Sequence, residues 1–399
     1  MQPKLFISYL QGGAELAHRA EKLKNLLVDD GFDVFYDREA IEGSDIWPEK
    51  IFKNIRESSA VLLLIESKTH ESFWVRREVD FARGAEKPIL PIRLAKISDA
   101  ILAENLEKFA LGKIQAIDFI TDNKSEHDDI LKNVKRWLPA EFSLRYKRYN
   151  IVVPKMTSPC QLSITAGDFK EIDESIDVYV NSENDYMQMA RFFETNRISS
   201  QLRRLGAQLD DMNRYIIHDT VQEELNQQVI TLRNGLPICI GDIIVTGAGH
   251  PESILAKEKK ARYIFHLASA EGLENGRLAP ALQKINGFIR DLLHQTHIVN
   301  TRKGIMSPPN TAAYIQQEQE AQNYKPITNI LLPLLGTGHA RLDTGDVIDR
   351  ILDGIIDYFT QHRTKNSLQE IFISAYFQRD AEQLEEKISK RKKRFEPIP

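Results

Sequence analysis

Ser72-Phe73-Trp74-Val75-Arg76-Arg77-Glu78 is the stretch whose residue types and spacing point most directly to chemistry. It reads as the first turns of an amphipathic helix, with Phe81 and Ala82 continuing the inner face. Trp74 and Glu78 are four residues apart, so ring and carboxylate share one face. A lone carboxylate beside an aromatic plate suits the stabilisation of a ribosyl cation as it loses a base. The same spacing also fits an ordinary glutamate on a solvated helix.

The elements around this stretch must place it. Lys4 to Tyr9 is an apolar run without helical period, read as a buried strand. A helix from Glu15 to Val28 follows, closed by Gly31. Phe32 to Tyr36 is a second strand, and Asp37 to Ile46 a polar loop containing Gly43. Trp47 to Arg56 is the next helix. Ala60 to Ile65 is fully apolar, hence a strand buried on both faces. After the Glu78 helix come strands at Pro88–Leu94 and Lys113–Phe119 and a closing helix at Asp128–Leu138. Alternating strands and helices predict a parallel sheet covered on both sides. Ligands of such sheets sit beyond the carboxyl ends of the strands, and the Glu78 helix begins at one such end.

The chain has 399 residues, enough for two domains, with 42% hydrophobic and 28% charged residues. A net charge of -4 argues against general nucleic-acid binding. The two cysteines, Cys160 and Cys239, form no CxxC and no disulfide framework, which fits a reducing cytoplasm. The N-terminus has no signal-peptide pattern, and no apolar run reaches membrane-spanning length, so a soluble protein without membrane contact is expected.

The first part of the chain resembles a TIR domain. Phe6-Ile7-Ser8-Tyr9, Gly31-Phe32-Asp33-Val34-Phe35-Tyr36-Asp37, Gly43 and the Ser72-x-Trp74-x-x-x-Glu78 segment carry the likeness. It implies a flavodoxin-like parallel sheet over residues 1–139 and NAD cleavage with Glu78 as the catalytic residue. Phe6, Ser8, Asp37 and Trp74 would stand around the substrate; Phe6 and Trp74 equally fit plain core packing. Two departures stand out: Val75 replaces a common Cys, and Gly12-Gly13 stand where an Asp is common. Glycosidases commonly use two carboxylates, one to protonate the leaving oxygen. Nicotinamide on ribose is already a pyridinium and leaves neutral, so one carboxylate near the ribose suffices.

Residues 140–155, basic and tyrosine-bearing, read as a linker into a second domain at 156–399. Strands are expected at Leu162–Thr165, Ile176–Val180, Ile243–Thr246, Arg262–Ala268, Ile327–Leu335 and Glu370–Phe377. Helices are expected at Leu278–Leu293, Thr344–Phe359 and from Asp380, again an α/β pattern. Gly336-Thr337-Gly338 lies between a strand and a helix, where backbone N–H groups can cup a diphosphate near the helix's positive end. Asp168 ends a strand beside a glycine, where a carboxylate accepts from an adenine amino group or simply caps a turn. Asn181 and Asn184 flank another strand end, within reach of ribose hydroxyls.

His294 and His297 sit three apart with no completing ligand constellation, so no metal is expected. Met187 and Met189 read as packing residues, and Lys390 to Arg394 as a solvated basic helix end. Residues 301–324 read as an insertion.

Gly167-Asp168-Phe169, Val180-Asn181-Ser182-Glu183-Asn184, Gly241 through Gly249, Pro333 through Gly338 and the aromatic strand before Tyr376 together resemble a macro domain, of α/β/α three-layer build. The likeness implies that Asp168, Phe169, Asn181, Asn184, Gly247, Gly336, Thr337, Gly338, His339, Ala340 and Tyr376 bind ADP-ribose or a derivative. Macro domains that hydrolyse ADP-ribosyl bonds carry a glycine-rich loop after the second Asn. Here the chain reads Asp185-Tyr186-Met187-Gln188-Met189-Ala190, which favours binding over hydrolysis.

A TIR domain fused to a macro domain resembles effectors of Thoeris-type bacterial antiphage defence. That implies NAD+ as substrate with no further cofactor, an ADP-ribose-derived signalling nucleotide, a separate TIR enzyme that makes the signal, and homo-oligomers built through the TIR domains. A non-enzymatic signalling scaffold and a TIR cyclase making a cyclic ADP-ribose-type messenger are the alternative readings.

Overall fold

The apolar run Ala60–Ile65 forms a strand whose six residues are all buried, the environment of a parallel strand covered on both faces. The structure is a computed structural model. It describes the chain apart from residues 1–2, 11–13, 37–46, 86, 113, 139–144, 168–171, 191–197, 211–215, 234–235, 273–277, 305–323, 338–341, 364–365 and 399. The described chain falls into two units, Met1–Ala140 with Phe377–Arg379, and Glu141–Tyr376 with Asp380–Pro399.

The first unit runs β1 (Lys4–Ser8), α1 (Ala14–Asp29), β2 (Asp33–Tyr36), α2 (Trp47–Glu57), β3 (Ala60–Ile65), α3 (Phe73–Gly84), β4 (Ile89–Arg93), α4 (Asp99–Lys108), β5 (Ile117–Asp118) and α5 (Lys124–Trp137). Among the described residues the strands form one parallel sheet of order β2-β1-β3-β4-β5. Gly31, at φ +92, ends α1 in the left-handed region, as expected. Side chains of β1 alternate between two cores. Leu5 and Ile7 join Leu23, Leu27, Ile130 and Val134 of α1 and α5. Phe6 joins Ile51, Ile55, Val75 and Val79 of α2 and α3. Ser8 shares the parity of Phe6 and so faces α3. The last strand is shorter than expected, two residues instead of Lys113–Phe119. Helix α4 was not expected, although Ser98 caps it by accepting from Ile101 N–H and Asp99 opens its first turn.

The second unit contains β6 (Arg145–Ile151), β7 (Gln161–Ala166), β8 (Val178–Asn184), α6 (Ile198–Gly206), β9 (Gln208–Leu209), β10 (Ile216–His218), α7 (Thr220–Arg233), β11 (Ile243–Gly247), α8 (Ile254–Lys257) and β12 (Tyr263–Gly272). It continues with β13 (Leu278–Pro280), α9 (Ile285–Thr301), β14 (Asn329–Pro333), α10 (Thr344–Gln361), β15 (Glu370–Ala375), α11 (Gln378–Ser389) and β16 (Phe395–Pro397). The main sheet has the order β11-β12-β8-β14-β15-β7-β6-β16, with β13 beside β12. Strands β12, β8, β14, β15 and β7 are mutually parallel; β11, β13, β6 and β16 run antiparallel to their neighbours. Leu202 of α6 and Val221 and Leu225 of α7 cover one face over Tyr179, Ile264, Leu331 and Phe372.

Three expectations change here. The supposed linker at 140–155 carries β6, whose residues pair with β7 and β16, because buried Tyr149 and Ile151 alternate with more exposed Arg148 and Asn150, which suits a strand. The helix expected at Leu278–Leu293 is a strand, a 3-10 turn at Leu282–Lys284 and a helix starting at Ile285. Pro280, which cannot donate inside a helix, ends the strand. Helices α6 and α7 lie in a stretch where no element was expected.

Candidate functional site

In a parallel sheet, the crevice opens where successive connections leave a strand pair in opposite directions. In the first unit the chain passes from β1 outward to β2, then returns to β3 on the other side of β1. The switch point is therefore at the carboxyl ends of β1 and β3. Ser8 ends β1, and its hydroxyl donates to Glu78 Oε2 at 2.5 Å. That length is typical of a hydroxyl bonded to an ionised carboxylate. Glu78 is 5% exposed, on the same helix face as Val75, Val79 and Ala82. Ser72 starts that helix by accepting from Val75 N–H at 3.3 Å. The cap thus fixes which residues of α3 turn inward.

Trp74 is 38% exposed, one turn before Glu78 at the rim, and its ring meets Phe73 edge-on with centroids 5.3 Å apart. Phe6 is fully buried and stacks on Phe35 at 5.4 Å. The structure thus brings Ser8 to Glu78 and assigns Phe6 to the core beneath. Asp37 and Gly43 lie outside the described residues.

Tyr9, Leu10, Leu16, Leu64, Ile65, Glu66 and Leu94 enclose a cavity of about 10 Å³ at the same strand ends, room for about one water. Glu66, missed by the sequence reading, stands one residue beyond β3, and burial pushes its carboxyl above the ordinary value. Its position just past a predicted strand end was the available signal. A larger cleft, about 460 Å³, is lined by His18, Arg19 and Lys22 of α1 and by Phe119–Asp122. Its cations are engaged: Arg19 donates to the carbonyls of Leu94 and Ile120, and Lys22 pairs with Asp122 at 2.6 Å.

In the second unit the switch point falls between β8 and β14. From β8 the chain reaches β12 on one side; β14, on the other side, leads to β15. Pairing of β8 with β14 is confined to Val178 and Tyr179 against Ile330 and Leu331. Beyond that level the two strands part, while β8 remains paired to β12 through Asn184. Asn181 and Asn184 lie on β8 above the split. Gly336 and Thr337 follow β14, and Tyr376 follows β15 at the same edge. Gly336 has φ +73, the left-handed region, and its carbonyl accepts from Leu342 N–H at 3.0 Å. Asp168, Phe169, Gly338, His339 and Ala340 lie outside the described residues.

One expected site residue lies away from this crevice. Gly247 ends β11, which is antiparallel to β12, and pairs with Tyr263 at the start of that strand. Asn184 pairs with Ala270. Seven residues of strand separate the two levels, about 20 Å. Gly247 therefore belongs to the opposite edge, where its N–H donates to Glu224. Burial raises the carboxyl of Glu224. The start of α10 carries two acidic side chains. Asp343 caps it by accepting from Asp346 N–H at 3.0 Å, and Asp346 adds a further negative charge.

The segment after Asn184 is held down. Met187 and Met189 are buried. Gln222 Oε1 accepts from Met189 N–H at 2.8 Å, and its Nε2 donates to the Met187 carbonyl at 3.3 Å. Ser199 Oγ accepts from Ala190 N–H, and Arg203 donates to the carbonyls of Met189 and Ala190. Elsewhere, His294 lies 5.9 Å from His297 and 5.4 Å from His362, ring to ring. Among the described residues no group of His, Cys, Asp and Glu is placed to hold a metal ion. No helix among them is long and apolar enough to cross a membrane.

Residues 5–134 match the family model of the TIR domain, so the first unit carries a TIR domain. Solved structures similar to the chain include the Oceanobacillus iheyensis macrodomain with MES bound, 12% identical with a TM-score of 0.40, covering 61% of this chain and 96% of that one. The same macrodomain with ADP is 12% identical at a TM-score of 0.39, with the same coverage. The Trypanosoma brucei macrodomain in complex with ADP-ribose is 10% identical at 0.32, covering 57% of this chain and 68% of that one. No curated protein matches the chain. Strand order and the parting of β8 from β14, rather than that likeness, define the second crevice.

Proposed function

We propose that the chain is a signal-gated NAD+ nucleosidase of bacterial antiphage defence. The observation that carries this reading is the buried contact between Ser8 and Glu78 at the switch point of a sheet within the TIR match. The bond from ribose C1′ to the pyridinium nitrogen breaks, and its electron pair goes to the ring, so nicotinamide leaves neutral. The Glu78 carboxylate stabilises the positive charge that grows on the ribose. Water adds at C1′ and releases a proton to solvent. The Ser8 hydroxyl holds one carboxylate oxygen in place. Trp74 stands at the rim, where an aromatic face can meet the substrate.

The second unit binds an ADP-ribose-derived nucleotide made by a separate TIR enzyme. The macro-type motifs and the split between β8 and β14 support this. The pinned, glycine-free segment Asp185–Ala190 favours retention of the ligand over its hydrolysis. A ligand activates only by binding the active arrangement better than the resting one. Assembly of TIR domains through the loop 37–46 is the step that the nucleotide favours. The test is to incubate the full chain with NAD+, with and without ADP-ribose derivatives, and to identify products by mass spectrometry. Nicotinamide and ADP-ribose, formed faster with one derivative, are expected. A cyclic product would make the enzyme a cyclase, and no turnover under any condition would leave the scaffold reading.

A further inference from the structure

His266, on β12, is fully buried and plays no part in the chemistry above. Its Nε2 lies 3.0 Å from Thr246 Oγ1, and its Nδ1 lies 3.1 Å from Asn181 Nδ2. The Thr246 hydroxyl donates its one proton to the Gly247 carbonyl at 3.0 Å, so toward His266 it can only accept. The proton of a neutral imidazole must then sit on Nε2, leaving Nδ1 as a bare acceptor. Burial without a charged partner keeps the ring neutral, with its pKa pushed down to about 3.

Asn181 reads the same way from the other end. Its Nδ2 also lies 2.7 Å from Glu183 Oε1, a carboxylate that accepts from Ser199 Oγ as well. Both amide protons are thus taken by acceptors, one on the imidazole and one on the carboxylate. A flipped amide would set its carbonyl against the Glu183 oxygen and, with His266 protonated on Nε2, against a bare Nδ1 as well. The remaining valence is Asn181 Oδ1, which is buried and has no partner among the described residues. A buried acceptor left in that state is unfavourable. Asn181 lies at the level where β8 has already left β14.

We propose that Glu183 and His266 are positioning residues that lock the Asn181 amide so that only its carbonyl oxygen is offered to ligand, making this subsite selective for a hydrogen-bond donor such as a ribose hydroxyl. The proposal rests on the nucleotide-binding reading for its ligand, but not for the orientation of the amide. A phosphate or carboxylate oxygen at this position meets an acceptor and is refused, whereas a hydroxyl completes a bond that the free protein lacks.

Two measurements decide it. The first is 15N NMR of the histidine-labelled full chain, with the His266 signals identified by their loss in His266→Gln. A neutral ring protonated at Nε2 is expected at pH 7. A ring protonated at Nδ1, or a charged ring, would turn the amide over and overturn the proposal.

The second is calorimetric binding of ADP-ribose and its analogues lacking one ribose hydroxyl. One analogue should bind wild type about tenfold more weakly than ADP-ribose, the loss of one neutral hydrogen bond. Glu183→Gln keeps an accepting oxygen and should preserve that discrimination. Glu183→Met keeps the volume without the acceptor and should abolish it. Equal discrimination by the Met and Gln variants would show that Glu183 merely packs. Failure of wild type to bind any of these nucleotides would overturn the nucleotide-binding reading and the ligand half of this proposal, leaving the tautomer to decide the orientation.

Discussion

The two units solve one geometric problem with different chemistry. Each places a buried polar side chain at the switch point of an α/β sheet. In the first unit that group is the Glu78 carboxylate, which accepts from Ser8 on the neighbouring strand. In the second it is the Asn181 amide, held by two acceptors, Glu183 and His266. A carboxylate supplies charge, and charge acts on a nearby cation over a range of angles. An amide supplies direction, and its value depends on which end faces the ligand. A site for charge stabilisation can be simple; a site for recognition needs a network that fixes polarity. The mutational consequences should therefore differ in kind, rate in one unit and selectivity in the other.

The largest effect should come from Glu78→Gln, which keeps the shape and removes the charge. NAD+ cleavage should fall by about 10²–10³-fold, the usual cost of losing a key electrostatic stabiliser. Circular dichroism and nucleotide binding should be unchanged. Near-normal nicotinamide release from the folded variant would sink the assignment of Glu78 and with it the contrast between the units.

Acid should separate the units next. Unfolded, His266 takes a proton near its ordinary value of 6.5; folded, its pKa lies at about 3. Between these values the unfolded state binds more protons. Stability from this residue is therefore present above pH 6.5 and is lost as pH falls toward 3, by up to about 1.4 kcal/mol per pH unit. All three tryptophans, Trp47, Trp74 and Trp137, lie in the first unit, so their fluorescence weights that unit. Far-ultraviolet dichroism should report acid loss of the second unit, with a shallower pH dependence in His266→Gln and no change in the fluorescence transition. The same dichroism profile in wild type and variant would show that another group titrates.

Ser8→Ala is the third test. It leaves Glu78 charged but removes the hydroxyl on its carboxylate. A hydrogen bond to a charged group contributes about 1.5–3 kcal/mol, so at least a tenfold loss of kcat is expected, with KM little changed. A rise in KM with kcat preserved would make Ser8 a substrate contact rather than the support of Glu78.

The two sites were legible in the sequence to different depths, for a physical reason. Glu78 and Trp74 lie on one helix, where four-residue spacing alone defines a face. Ser8 came with a strand motif, and its contact with Glu78 follows from strand alternation once β1 is known to pack on α3. Asn181 was readable as a strand-end polar residue, but His266 comes from 85 positions away, and Glu183, two residues on, is itself held by Ser199 of α6. No local pattern marks such a network. Gly247 shows the converse: a glycine after a strand looks like a ligand loop, and only the direction of β11 puts it on the wrong edge. Strands with uniform apolar runs were placed almost to the residue. Helices α6 and α7 were missed although Ile198, Leu202 and Leu205, and Val221, Leu225 and Val229, recur at helical spacing.

The smallest expected effect lies at the turn after β14, and it sharpens the comparison because it touches backbone rather than a functional group. Gly336 has φ +73, where a residue with a β-carbon is strained by about 1–2 kcal/mol. Its carbonyl closes the turn by accepting from Leu342 N–H. Gly336→Ala should therefore shift the turn and weaken ADP-ribose binding by about fivefold, since ~1 kcal/mol corresponds to that factor. Asn tolerates the left-handed region better than Ala, so Gly336→Asn should recover part of the affinity although its side chain is larger. Basal NAD+ cleavage without nucleotide should be the same in both variants as in wild type. The ranking separates backbone conformation from bulk. If the Asn variant binds more weakly than the Ala variant, side-chain size at the crevice controls affinity, and the left-handed turn is not what the second unit requires of this position.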